Sequence, residues 1–147
     1  MSSYYTSSDI DEVDRLVHLA NRKKLQYDLE DSYPRFKGMT TIEIGVLRVL
    51  AFNPEATPTE IAREIGISKS TLTSAINRLE KRGYIARTIS PVDRRSFRLA
   101  LTGEGAAAQN EHLAFEKAFY TRMLGLLESK EEVATFLALA AKVISGF

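Results

Sequence analysis

Residues 57–102, TPTEIAREIGISKSTLTSAINRLEKRGYIARTISPVDRRSFRLALT, constrain the fold more than any other stretch, because two helix signals two residues apart run straight into a hairpin signal. Thr57-Pro58-Thr59-Glu60 opens a helix: the Thr57 hydroxyl can take a free backbone N–H, Pro58 suits the first helical position, and Glu60 can reach back to complete a capping box. Gly66 tolerates the left-handed conformation that closes a helix, and Ser68 caps a second one at once. Helices joined so tightly must meet at a steep angle, which is helix-turn-helix geometry.

The second helix, residues 69–82, sorts its side chains by role when projected at about 3.6 residues per turn. Leu72, Ile76 and Leu79 share an inward stripe. Opposite lie Ser70, Ser74, Asn77 and Lys81, flanked by Lys69, Thr73 and Arg78, a polar and basic face that no acid interrupts. Glu80 projects toward the buried edge, where an ion pair with a neighbouring cation suits it. After Gly83, residues 84–89 are β-branched and aromatic, Ser90-Pro91-Val92-Asp93 carries turn chemistry, and residues 97–101 alternate apolar with polar. The hairpin tip bears Asp93, Arg94 and Arg95, an acid able to orient a guanidinium toward a narrow minor groove.

Charge follows the motif. Residues 57–102 hold nine Lys/Arg against four Asp/Glu, a net +5, and the rest of the chain holds eleven against fifteen, a net −4, which together give the formal +1. A localised basic patch on a near-neutral chain is the footprint expected of a nucleic-acid reader.

The helix pair ending ISKSTLTSAINRLEKRGYI, the pattern Asp93-x-Arg95 followed by Leu99-x-Leu101-Thr102, and the flanking helical segments together resemble the multiple-antibiotic-resistance regulator (MarR) family of bacterial winged-helix transcription factors. The resemblance implies a homodimer on double-stranded DNA, a second helix lying in the major groove, and Arg95 entering the minor groove with Asp93 orienting it. It implies a transcriptional repressor, first, fifth and sixth helices that intertwine across a two-fold axis, and a pseudo-palindromic operator with half-sites roughly 34–36 Å apart. The fold expected is mainly α with a small β-hairpin wing. Residues 1–147 form one domain, with a winged helix-turn-helix over 40–102 and dimerisation helices over 9–31 and 103–147. A winged-helix module for protein–protein contact, without direct DNA reading, is the rival.

The flanks fit assembly. Ile10, Val13, Leu16, Val17 and Ala20 recur at helical spacing over residues 9–31, with Asp9 placed as the cap. Pro34 and Gly38 mark a loop, and residues 41–52 should add Ile44, Leu47, Val49 and Leu50 to the winged-helix core. Thr102 caps a helix running to about residue 127, and Ser129-Lys130-Glu131-Glu132 forms a further capping box. The last helix bears Val133, Phe136, Leu137, Leu139, Ala140, Val143 and Ile144, an apolar surface wider than one stripe, suited to packing on its own chain and on a partner.

Catalysis finds no motif. His18 and His112 stand far apart and outside any short metal-ligand spacing, and Gly103-Glu104-Gly105 lacks the spacing of a phosphate loop, so neither a metal nor another cofactor is expected. The chain has no cysteine, which removes disulfides and thiol-based sensing. No apolar run reaches the roughly 20 residues of a membrane span, and the start MSSYYTSSDIDEVD lacks the basic and apolar regions of a signal peptide, so a cytoplasmic protein without a membrane partner is expected. A small apolar or anionic effector is the remaining partner, with Tyr27, Tyr33, Phe36, Phe115 and Phe119 as the aromatic side chains able to line its cleft.

Overall fold

Short polar side chains start most of the helices. In the computed structural model, which describes residues 4–28, 33–89 and 97–146 with the backbone alone at 25–28, the element order is α1 (Ser7–Asp28), α2 (Thr41–Phe52), α3 (Pro58–Ile65), α4 (Lys69–Lys81), β1 (Ile85–Ile89), β2 (Phe97–Leu101), α5 (Gly103–Leu124) and α6 (Lys130–Ile144). Thr57 and Glu60 form the expected reciprocal capping box of α3. The Thr57 backbone N–H, and then its hydroxyl, hold the Glu60 carboxyl below the usual carboxylate range. Gly66 closes α3 at φ 75°, a left-handed conformation that favours glycine, and Ser68 caps α4 two residues later.

Three caps differ from the sequence expectation. Asp9 is not the cap of α1: it sits one turn inside, its Oδ2 accepting from the Thr6 backbone N–H at 2.7 Å while the Asp9 N–H donates to the Thr6 hydroxyl at 3.3 Å. Helix α2 has a box that the sequence reading missed, Thr40 with Glu43. At α6 the Ser129 hydroxyl accepts from the Glu132 N–H as expected, but the Glu132 carboxylate reaches past the cap to the Glu128 N–H, so that box is not reciprocal. Helix α1 extends to Asp28, with residues 29–31 of the expected helix outside the described set, and α5 stops at Leu124, three residues short of the expected end.

The chain divides into two compact units, one within Glu30–Ala114 and one within Met1–Leu29 with Phe115–Phe147. The first holds the winged helix and gathers a wider span than 40–102. Its core takes Val46, Leu47, Val49 and Leu50 from α2, Ile61 and Ala62 from α3, Leu72, Ala75, Ile76 and Leu79 from α4, Ile85 and Leu99 from the hairpin, and Ala108 from α5. Ile44, expected here, is only half-buried, and Val46 is fully enclosed in its stead. Each large side chain so enclosed contributes roughly 1.5–3 kcal/mol. Strands β1 and β2 pair antiparallel with Ile85 opposite Leu101 and Arg87 opposite Leu99. Tyr84 falls outside the strand because its N–H closes the end of α4 on the Leu79 carbonyl and its own carbonyl accepts from the Thr102 N–H. Thr102 caps α5 as expected, donating its hydroxyl to the Gly83 carbonyl and accepting from the Gly105 N–H. Gly105 lies against the Tyr84 carbonyl, where a Cβ would fall far inside van der Waals contact.

In the second unit α6 buries no residue fully, and α1 exposes Ile10, Val13, Leu16 and Val17. No helix among the described residues is long and apolar enough to cross a membrane.

Candidate nucleic-acid interface

Helix α4 separates a structural face from an open one. Leu72, Ala75, Ile76 and Leu79 are 0–3% exposed and anchor the helix. Lys69, Ser70, Thr73, Ser74, Asn77, Arg78 and Lys81 are all exposed, so every side chain expected on the polar face stands on it. The Thr73 hydroxyl donates to the Lys69 carbonyl at 2.9 Å, and the Ser74 hydroxyl to the Ser70 carbonyl at 3.2 Å. These local bonds keep the small hydroxyls against the helix and leave the face low in profile, as a helix entering a groove about 12 Å wide requires.

Two cations on or beside this face are held by partners that the sequence reading did not name. Glu43 of α2 is a buried acid, its side chain 3% exposed, and its Oε1 accepts from Arg78 Nε at 2.8 Å while Oε2 accepts from the Thr40 N–H at 2.6 Å. Burial pushes the Glu43 carboxyl up, but the Thr40 backbone N–H, the Arg78 guanidinium and the Thr40 hydroxyl outweigh it and hold the group below the usual carboxylate range. A charged carboxylate thus fixes Arg78 from beneath, with the arginine still half in solvent. The spacing Thr40-x-x-Glu43 before an apolar run was the signal for this acid.

The second cation is Arg87 of β1. Its Nη2 donates to Asn77 Oδ1 at 2.6 Å and lies 3.0 Å from Glu80 Oε2, and its guanidinium carbon sits 4.9 Å from the centroid of the Phe97 ring. Glu80 therefore has the basic partner expected of it. Arg82 donates to the Lys37 carbonyl at 3.3 Å, and the Tyr84 hydroxyl donates to the Arg35 carbonyl at 2.7 Å, which ties the loop before α2 to the end of α4. Arg98 of β2 pairs with Glu55. Asp93, Arg94 and Arg95 lie outside the described residues.

Of the expected dimerisation set, Ile10, Val13, Leu16, Val17, Phe136, Leu137, Val143 and Ile144 are exposed, and Val133 and Ala140 are half-buried. Among the expected cleft aromatics, Tyr33 and Phe36 meet at 5.7 Å and Phe115 stacks on Phe119 at 6.2 Å, with Phe36 and Phe115 buried. Tyr27 falls where only the backbone is described. His112 is buried edge-on to Phe36, and exposed His18 lies 3.4 Å from Asp14.

Comparison with known proteins agrees with this geometry. A model of the MarR family matches residues 37–96. The transcriptional repressor MdtR of Bacillus subtilis is 34% identical over 109 residues, which cover 74% of this chain and 70% of MdtR. Among solved structures, Streptococcus pneumoniae FabT in complex with DNA superposes with a TM-score of 0.78 at 27% identity, over 95% of this chain and 96% of FabT. A mutant Escherichia coli MarR complexed with operator DNA gives a TM-score of 0.68 at 28% identity, over 92% of this chain and 95% of that one.

Proposed function

The chain belongs to the MarR family, and on that premise we propose that it is a DNA-binding transcriptional regulator, a repressor that works as a homodimer on a pseudo-palindromic operator and answers to a small effector. The observation that carries the reading is the open face of α4, polar and basic from Lys69 to Lys81 without one exposed acid, mounted on a fully buried stripe. Asn77 and Ser74 read base edges, and Lys69, Arg78 and Lys81 hold phosphates. Arg95 of the wing enters the minor groove, oriented by Asp93, with Arg94 beside it. Relatives that bind DNA, at 27% and 28% identity, favour this over a module for protein–protein contact alone.

Dimerisation is supported by the apolar side chains that α1 and α6 leave in water, among them Ile10, Val13, Leu137, Val143 and Ile144. At roughly 1.5–3 kcal/mol for each large side chain covered, several together offset an association cost of about 4–15 kcal/mol. No catalytic role belongs to this reading, and regulation of the chromosome places the protein in the cytoplasm. Selection of bound sequences from random duplex DNA tests it: the reading expects an inverted repeat with half-sites about one helical turn apart. Recovery of no enriched sequence would overturn it.

A further inference from the structure

We propose that Arg87 latches Asn77 into a donor-only reader, so that α4 selects a base with major-groove acceptors, guanine above all, and rejects cytosine at the position facing Asn77. The inference rests on the reading of α4 as the helix that enters the major groove.

Arg87 is placed by the hairpin rather than by α4. In the β1–β2 register Arg87 stands opposite Leu99, so Phe97 is its diagonal neighbour on the same face, and the guanidinium lies 4.9 Å from that ring. Glu80, one turn beyond Asn77 on α4, fixes the same guanidinium at 3.0 Å. A cation held by a ring and a carboxylate then meets the Asn77 carbonyl oxygen at 2.6 Å. A guanidinium only donates, so the amide must turn its oxygen to Arg87; the flipped amide would set NH2 against N–H. No described residue accepts from the Asn77 Nδ2.

The consequence is a restriction in chemistry. An asparagine reads adenine by using both ends of its amide at once, the oxygen on the N6 amino group and the nitrogen on N7. The Asn77 oxygen keeps a second lone pair, but the guanidinium held against it repels and obstructs another donor there, so what Asn77 offers DNA is its two N–H donors. Guanine presents two adjacent acceptors, N7 and O6, whereas cytosine presents a donor at N4 and repels another donor. Arg87 is thus a positioning residue that acts through Asn77, and it couples the base of the wing to the reading face of α4.

The test is selection from random duplex DNA with the full chain and two variants. Wild type should enrich guanine at one position of each half-site and exclude cytosine there. Asn77→Asp keeps the oxygen that Arg87 needs but replaces the donor by an acceptor, and should shift that position to cytosine by roughly tenfold while the rest of the motif stays. Arg87→Met removes the donor at similar length, frees the amide oxygen, and should raise adenine at the same position. If Arg87 merely held a phosphate, Arg87→Met would weaken all sequences alike and leave every base preference in place, which overturns the proposal. An unchanged motif with Asn77→Asp, or a wild-type motif with cytosine or adenine at the position that Asn77→Asp alters, overturns it too. No enriched motif from any of the three proteins would instead refute the DNA-reading function itself. Circular dichroism of each variant confirms that altered selection comes from folded protein, and Arg87→Lys, which retains a cationic donor, should restore guanine if Arg87→Met does not fold.

Discussion

Replacing Glu43 by Gln keeps the shape of a buried side chain and removes its charge. Both carboxylate oxygens are in use, one by the Thr40 N–H at 2.6 Å and one by Arg78 Nε at 2.8 Å. An amide has one acceptor oxygen, so one of the two donors is left facing an NH2 group. Hydrogen bonds to a charged group contribute about 1.5–3 kcal/mol each and neutral ones about 0.5–1.5 kcal/mol. Arg78 is half-exposed and regains water when released, so its share is counted at the lower, screened value of under ~1 kcal/mol. The expected loss is about 2 kcal/mol at neutral pH, which moves a urea midpoint by about 1 M. This loss should depend on pH. The native carboxyl titrates below its ordinary value, so its contribution is intact above the unfolded-state pKa of ~4.3 and disappears as pH falls through the lower native value. Urea unfolding at one protein concentration, stepped from neutral into acid, should therefore show wild type and Glu43→Gln converging in acid. A gap that is absent at neutral pH, or equally wide in acid, would refute this account of Glu43.

Arg95→Ala, and more weakly Asp93→Asn, should lower operator affinity by about tenfold or more with fold and dimer intact, measured by titration at one fixed salt concentration. Gly105→Ala should destabilise by about 2 kcal/mol, since the new Cβ meets the Tyr84 carbonyl, whereas Gly103→Ala, whose Cβ meets nothing within 4 Å, should be neutral or slightly stabilising; equal melting curves would remove the close approach as a cause. Deleting residues 129–147 should give a sedimenting monomer with weak operator binding, because two linked half-sites bind far more tightly than one; a truncated dimer would clear α6 of that role.

Local chemistry made much of this fold legible in the sequence. Thr57 with Glu60, Gly66 and Ser68 act through neighbours within four residues, and the stripe of Leu72, Ile76 and Leu79 follows from helical period alone. The open face of α4 was readable for the same reason. Asp9 misled because aspartate suits both the cap and the third helical position, and Thr6, three residues earlier, decides between them. Glu43 and Arg78 are 35 residues apart, and Arg87 reaches Asn77 across the turn at Gly83 and the start of the hairpin. Such pairings depend on how α2, α4 and β1 pack, which no periodicity encodes. The pairings that aim the reading face are therefore what the sequence concealed.

The salt dependence of binding to a selected operator tests the central claim most directly. A dimer that presents two α4 faces and two wings should neutralise roughly 6–10 phosphates, so log K should fall against log salt with a slope of about −5 to −9. A slope near zero from low to moderate salt would contradict the reading of this protein as a regulator that binds double-stranded DNA.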